Sequence, residues 1–315
     1  MDKQQKTENV DKLHARPRSA IARWFLASRP QSFAAALAPA LAGLGIAWRR
    51  LSETGGDFLI VPAVCCVGFA LFAQVAANFI NDYCDFRNGV DLDEPDGPTR
   101  ALVEGWITPR GAFFAGFGAL AVAILFGAAT IPYGGAVIVA VGLASCLACV
   151  FYSFGGKPLA YVGLGDVAVV LFFGVVPTVF TNYLQTREIS VNAALVGLAL
   201  GLVCDNILVA NNYRDRDHDR ARGKMTSVAL LGERFGRLLY LSNGIAAIVL
   251  LGSAFFTGGA STYGAIVTLV LYGALHFAAW RKLSRLRRGA ALTRVYESSA
   301  RNLLALAVMT TLVLL

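Results

Sequence analysis

Apolar residues in this chain come in long unbroken runs, not in the alternating or one-sided patterns of water-facing strands and helices. The runs lie at 31–49, 58–81, 111–131, 134–154, 162–183, 191–212, 236–257, 262–280 and 300–315, the last being the shortest. About 20 residues at helical rise cross a hydrocarbon core of roughly 30 Å, so these lengths suit bilayer spans and exceed what a soluble core helix needs. Backbone amides find no water inside lipid, so each run is expected to be a helix; Gly- and Ala-rich stretches without strict alternation do not suit barrel strands. Gly55 and Gly56, Gly134 and Gly135, Gly155 and Gly156, and Gly258 and Gly259 fall at the breaks, where a helix has to end and turn. The expected fold class is all-α, a polytopic membrane bundle of about nine transmembrane helices.

Composition points the same way. Hydrophobic residues make up 56% of the chain and charged residues 15%, against about 25% charged in an ordinary soluble domain. Residues 1–28 are polar and basic and read as a disordered cytoplasmic segment ahead of a transmembrane domain at 29–315. No cleavable signal peptide is read there, since Lys3, Lys6, Lys12, Arg16, Arg18, Arg23 and Arg29 leave only a short apolar patch. A net charge of +8 could suggest nucleic acid, but basic residues in a membrane chain record orientation, so no nucleic-acid partner is expected. With nine spans, just Arg49, Arg50 and Arg187 of the 28 lysines and arginines face away from the N-terminal side. That asymmetry places the N-terminus, and the loops after the even-numbered spans, in the cytoplasm. The basic run Arg281, Lys282, Arg285, Arg287 and Arg288 serves as an orientation signal or as a contact to anionic lipid headgroups. Cys146 and Cys149 have no second pair at metal-ligand spacing, so zinc or disulfide chemistry is not expected.

Two polar clusters interrupt this apolar pattern. The first holds Asn78, Asn81, Asp82, Asp85 and Asp91. On a helix Asn78, Asp82 and Asp85 share one face, at i, i+4 and i+7, while Gly89 lets the chain turn before Asp91. The second holds Asp215, Asp217 and Asp219 behind Asn211 and Asn212, interleaved with Arg214, Arg216, Arg220, Arg222 and Lys224. Asn211, Asp215 and Asp219 share a face; Asp217 lies about 200° round from Asp215 and is expected to point elsewhere. Magnesium takes oxygen ligands from carboxylates, water and phosphate, and arginine or lysine can hold phosphate oxygens, so each cluster suits a metal-bound diphosphate. One Asp-rich end alone reads equally well as a solvated rim of salt bridges. Two such ends, each with an asparagine on an apolar helix where polar groups are expensive, favour one shared site. Asn78-x-x-x-Asp82 recurs as Asn211-x-x-x-Asp215 four helices later, which suggests two related halves.

The run Asn81 to Asp91, followed by Gly97-Pro98-Thr99-Arg100 and Gly105-Trp106-Ile107-Thr108, together with Asn211 to Asp219 and Gly223-Lys224, resembles the UbiA superfamily of intramembrane prenyltransferases. Within it, the chain is most similar to the 1,4-dihydroxy-2-naphthoate polyprenyltransferases of menaquinone synthesis. Arg29-Pro30, the run Tyr161 to Asp166 and Phe172-Phe173-Gly174 add to the likeness, which extends over nearly everything after about residue 28. The resemblance implies a helical bundle around a central cavity, with magnesium, expected as two ions, and polyprenyl diphosphate held under a cytoplasmic cap. It implies Asn78, Asp82 and Asp85 as one metal site, with Asp91 beside them, and Asp215 and Asp219 as the other. Asp82, Asp85, Asp215 and Asp219 become the catalytic carboxylates, with Asn78, Asn81, Arg100, Tyr152, Lys157, Asn211 and Lys224 as substrate-binding groups. Asp205, beside Asn206 inside the sixth run, has no role in that pattern.

The implied reaction ionises an allylic diphosphate, and an electron-rich ring carbon of the acceptor, with 1,4-dihydroxy-2-naphthoate first among candidates, attacks the cation. Metal and cationic side chains would neutralise the departing diphosphate, and a dry cavity would protect the cation from water. The isoprenoid tail is expected to reach membrane lipid between helices. Other acceptors, such as 4-hydroxybenzoate, remain open. So does an ion-coupled transporter, although acids gathered at helix ends and not at mid-membrane argue against it. The motif of alcohol phosphotransferases is absent.

Overall fold

The computed structural model describes residues 19–90 and 100–314. The main elements are α1 (Ala20–Ala27), α2 (Phe33–Thr54), α3 (Ile60–Arg87), α4 (Pro109–Ala129), α5 (Ile131–Phe151), α6 (Gly165–Thr186), α7 (Val191–Ala221), α8 (Ser227–Thr257), α9 (Thr262–Arg285) and α10 (Thr293–Leu314). Among the described residues no strand occurs. With α1 and α2 taken as one stretch, 8 helices among the described residues are long and apolar enough to cross a membrane, so the chain is an integral, multi-pass membrane protein.

Helix α10 covers the last expected span but begins earlier, taking in Arg294, Glu297 and Arg301. Those charges leave it short of the apolar length of the others, and it is instead packed between α2 and α7. Two further boundaries move. Helix α3 runs past 81 to Arg87, and α7 runs past 212 to Ala221, so the polar clusters sit on the last helical turns and not on loops. At the N-terminus, residues 1–18 lie outside the described residues, whereas Ala20–Ala27 forms a helix capped by the Ser19 hydroxyl, which accepts from the Ala22 amide at 3.1 Å. Its Ile21, Phe25 and Leu26 are exposed, an apolar edge that suits a membrane surface. One glycine of each Gly-Gly pair adopts the left-handed backbone that ends or breaks a helix, with φ of 71° at Gly55, 62° at Gly135, 117° at Gly155 and 64° at Gly259.

Helix α7 is the axis of the bundle. Of its apolar stretch 72% is buried inside the protein, against 11% for α5. It packs against α2, α6, α8 and α10. The contact with α6 is unusually close because both faces are glycine. A β-carbon added to Gly174 would lie 2.3 Å from the Gly201 α-carbon, and one added to Gly201 would lie 2.5 Å from the Val170 carbonyl. Small residues let membrane helices approach in this way where larger side chains would hold them apart. A π-helical turn at Leu171–Val175 adjusts the α6 face along this seam.

Candidate active site

A cavity of about 520 Å³ opens among α2 to α7. Its deeper wall is mostly apolar, with Phe69, Ile124, Ile138, Leu143 and Phe172 from α3, α4, α5 and α6. Its polar end carries Arg29, Asn78, Asn81, Arg100, Asn211 and Lys224. The two clusters, far apart in sequence, therefore meet over a single space.

On α3, Asp82 and Asp85 are both buried, Asp85 completely. Arg29 and Arg100 both reach Asp82 Oδ1, Arg100 at 3.3 Å. Asp85 accepts from the Tyr161 hydroxyl at 2.6 Å, from Lys224 Nζ at 2.8 Å and from Asn81 Nδ2 at 3.2 Å. Asn81 also donates to the Ser153 hydroxyl at 3.1 Å. Asn78 faces another way: it donates to the Ser28 carbonyl and the Ser32 hydroxyl, each at 2.9 Å, and accepts from Gln74 at 2.8 Å. That network ties the turn between α1 and α2 to α3, and it is what brings Arg29 over Asp82.

On α7, Arg214 grips the Asp215 carboxylate through Nε and Nη2, both at 2.6 Å, and Nη2 also reaches Asn211 Oδ1 at 2.8 Å. Asp219 is buried, and its carbonyl accepts from the Lys224 amide at 2.8 Å. Asp217 points outward, to Arg288 at 2.9 Å. The α7 end and the loop after α3 also touch directly, through the His218 ring and the Val90 carbonyl.

Lys224 binds the clusters together electrostatically. Burial alone would lower its pKa, but the carboxylates of Asp85 and Asp219 raise it by more, so the ammonium is held above the usual lysine range. Burial, followed by the neighbouring Asp85 charge, lifts the Tyr161 phenol well above the usual tyrosine range. Burial does the same to Tyr152, which also lies in the cavity wall. Both phenols therefore stay neutral and keep a proton to donate.

The donor set fits magnesium: four buried carboxylates, with oxygen donors and no thiolate among them. Among the described residues, however, no group of three or more His, Cys, Asp or Glu side chains converges as a ready-made cage. Asp82, Asp85 and Asp215 are engaged by arginine or lysine instead, and Asp219 acts electrostatically on Lys224. This arrangement suits a metal that keeps several ligand positions for phosphate and water.

Most sequence-derived site residues thus come together, namely Asn81, Asp82, Asp85, Arg100, Tyr152, Asn211, Asp215, Asp219 and Lys224. Lys157 does not; it is exposed and outside the cavity wall. Asn78 is present but committed to backbone and hydroxyl partners. Asp91 lies outside the described residues. Arg29 and Tyr161 were seen in the sequence just as parts of a pattern, and the structure makes both direct partners of the first cluster. Arg29 adopts a left-handed backbone, φ 56°, uncommon for a non-glycine residue; an arginine and proline ahead of the first apolar run were the available signal.

The UbiA prenyltransferase family model matches residues 36–304. The chain is 32% identical over 222 residues to the 1,4-dihydroxy-2-naphthoate octaprenyltransferase of Mycobacterium tuberculosis, covering 70% of this chain and 74% of that one. It is 30% identical to the enzyme of the same name from Haemophilus influenzae, over 69% and 71% of the two chains. It is 32% identical to the UbiA prenyltransferase domain-containing protein 1 of Xenopus tropicalis, over 70% and 62%. Among solved structures, a UbiA homolog from Archaeoglobus fulgidus bound to DMAPP and Mg2+ superposes with a TM-score of 0.64 at 16% identity, covering 92% of this chain and 99% of that one. The apo structure of a UbiA homolog from Aeropyrum pernix K1 gives 0.65 at 18%, over 88% and 94%. At those identities the likeness is one of fold.

Proposed function

Since the chain belongs to the UbiA prenyltransferase family, we propose that it transfers a polyprenyl group from polyprenyl diphosphate to 1,4-dihydroxy-2-naphthoate, with loss of the ring carboxylate. The observation that carries this reading is the polar end of the cavity, where Arg29, Arg100 and Lys224 line an otherwise apolar chamber and are backed by the Asp82 and Asp85 carboxylates, with Asn211 of the second cluster beside them. Family membership sets the transporter reading aside. The named relatives from Mycobacterium tuberculosis and Haemophilus influenzae support the naphthoate acceptor over 4-hydroxybenzoate.

Asp82 and Asp85 on one side, and Asp215 and Asp219 on the other, are the groups to hold magnesium, expected as two ions. When bound, the metal supplies Lewis-acid neutralisation of the departing diphosphate. Arg29, Arg100 and Lys224 pair with Asp82 or Asp85 and line the cavity, so they are the groups that would hold the phosphate oxygens. The neutral Tyr161 phenol keeps Asp85 oriented. The apolar wall excludes water from the allylic cation, and the α3, α4 and α5 residues along it give the isoprenoid tail a path toward lipid. The arginine and lysine asymmetry supports a cytoplasmic position for this end of the bundle.

The test is to incubate purified protein with polyprenyl diphosphate and each acceptor in turn, with and without magnesium, and to identify products by mass. A magnesium-dependent, decarboxylated prenyl naphthalenediol is expected. Turnover of 4-hydroxybenzoate but not the naphthoate would move the assignment to another branch.

A further inference from the structure

One acidic pair lies apart from the diphosphate end. Asp166 opens α6, and Asp205 lies on α7 six residues before Asn211, which is about 9 Å further into the membrane along the helix. The glycine seam sets these two side chains against each other. Asp166, Val170 and Gly174 descend one face of α6 in steps of four, while Asp205, Gly201 and Gly197 descend the facing side of α7. The close contacts Gly174 to Gly201 and Val170 to Gly201 fix the register, and the two carboxyl groups stand within hydrogen-bonding reach of one another.

The pair is incompletely satisfied. Asp205 is 1% exposed and accepts from Asn243 Nδ2 at 2.8 Å through Oδ2, while its Oδ1 and the Oδ1 of Asp166 receive no N–H or O–H from the described residues. The facing oxygens have no donor between them, and a buried polar atom left without a hydrogen bond is costly, so the pair is poised to accept one from a ligand in the cavity. Among the described residues neither arginine nor lysine pairs with either carboxyl group, in contrast with Asp82, Asp85 and Asp215. Asp166 lines the cavity, next to Tyr152, whose hydroxyl would lie 3.3 Å from a β-carbon at Gly165. The cavity thus has a cationic end for phosphate and, one to two helical turns away, an unpartnered carboxyl acceptor in a mostly apolar wall.

We propose that the Asp166–Asp205 pair is the site that binds a hydroxyl group of the aromatic acceptor. It rests on the prenyltransferase reading and adds to it the way in which the ring is oriented. A carboxyl oxygen with no donor from the protein is a fit acceptor for a phenolic O–H that enters the cavity. It also disfavours a carboxylate at the same place, so the ring carboxylate of the acceptor is turned toward the cationic end. Asp166 touches the acceptor; Asp205, held by Asn243, is a positioning residue that acts through it. A purely structural role, joining α6 to α7, is already met by the glycine seam.

The experiment is steady-state kinetics on the full chain with magnesium, polyprenyl diphosphate, dihydroxynaphthoate and its two mono-O-methyl ethers. Wild-type protein is expected to use one ether at least about tenfold less well than the other, because a methyl ether cannot donate to the pair. Asp166→Ala is expected to lose that discrimination and to raise the acceptor KM about tenfold or more, with the polyprenyl diphosphate KM unchanged within about twofold. Asp205→Asn is expected to raise the acceptor KM by less, again without moving the donor KM. Should Asp166→Ala fail to elute as a folded monodisperse species, Asp166→Asn keeps the shape, removes the charge and is read in the same way. Wild-type indifference to both ethers, retained discrimination in the Asp166 variant, or a joint shift of both KM values overturns the proposal. Turnover of a different hydroxyarene alone overturns the naphthoate assignment, and the same KM split is then read on that acceptor. No turnover of any hydroxyarene overturns both.

Discussion

The two carboxylate clusters share their chemistry and differ in how they are built. Asp82 and Asp85 are held by residues brought from across the chain: Arg29, 53 positions away, Tyr161, 76 away from Asp85, and Lys224, 139 away from it. Asp215 is held by its immediate neighbour Arg214, which also takes Asn211 three positions before it. The first cluster is thus a product of the assembled bundle, and the second is largely a property of one helix end. Loosening α1, the loop after α5 or the loop after α7 should disable the first while leaving the second nearly intact.

Substitution of the carboxylates themselves should erase the difference. Asp85→Asn and Asp215→Asn each remove a charge from the end proposed to hold magnesium and diphosphate, where preorganised charge would contribute most to catalysis. Turnover measured by product mass should fall by about 10³-fold or more in either variant. A loss of less than about tenfold in one of them would show that its cluster is peripheral to the reaction.

The same contrast explains how far the sequence could be read. Apolar runs revealed the spans because length and composition are local properties, and the Asn-x-x-x-Asp spacing exposed the helix-end carboxylates for the same reason. Arg214 with Asp215 was visible in outline, since residues side by side on one helix end meet whatever the tertiary fold. Arg29 and Tyr161 were not, because their roles depend on the turn at Ser28 to Ser32 packing on Asn78 and on the loop after α5 folding over Asp85. The charged first half of α10 blurred the last span: packing between α2 and α7, and not lipid exposure, accommodates that helix. The Asp166–Asp205 contact needs the register of two helices, which no spacing within one of them encodes.

Lys224→Met set beside Arg214→Met sharpens the comparison next. Removing Lys224 leaves Asp85 buried and stripped of its strongest cation, and breaking a buried pair costs about 3–5 kcal/mol. A drop in melting temperature and a loss of activity of about 10²-fold are expected. Arg214→Met breaks an equally buried pair and should cost stability on the same scale, while leaving Asp85 and its partners in place. The pH dependence has a definite sign. A lysine whose folded pKa is raised contributes stability that is fully present below the unfolded value near 10.5 and is lost as pH climbs through the higher folded value. Melting temperature followed from pH 7 to 10 should show no loss from this lysine, and a wild-type decline beginning near pH 8 that Lys224→Met abolishes would contradict that.

Arg29→Gln should act more narrowly. Arg29 shares Asp82 with Arg100, so its loss leaves the carboxylate paired and the fold sound. The donor side should weaken, with the polyprenyl diphosphate KM rising about tenfold and the acceptor KM steady, as expected when one charge-assisted phosphate contact is removed. A change in acceptor KM alone would reassign Arg29 to the ring.

The smallest effect belongs to Tyr161→Phe. The ring stays, including its face near the Lys224 ammonium, 5.7 Å from the centroid, and only the hydroxyl bond to Asp85 disappears. A hydrogen bond to a charged group contributes about 1.5–3 kcal/mol, but Lys224 and Asn81 still satisfy Asp85, so the lower end applies and activity should fall about tenfold. The informative variant is the pair Tyr161→Phe with Lys224→Met. If the first cluster is held jointly by these long-range groups, the double variant should lose more than the sum of the two single losses in free energy. Strict additivity would mean that each group supports Asp85 independently, and the first cluster would then be no more cooperative than Arg214 with Asp215.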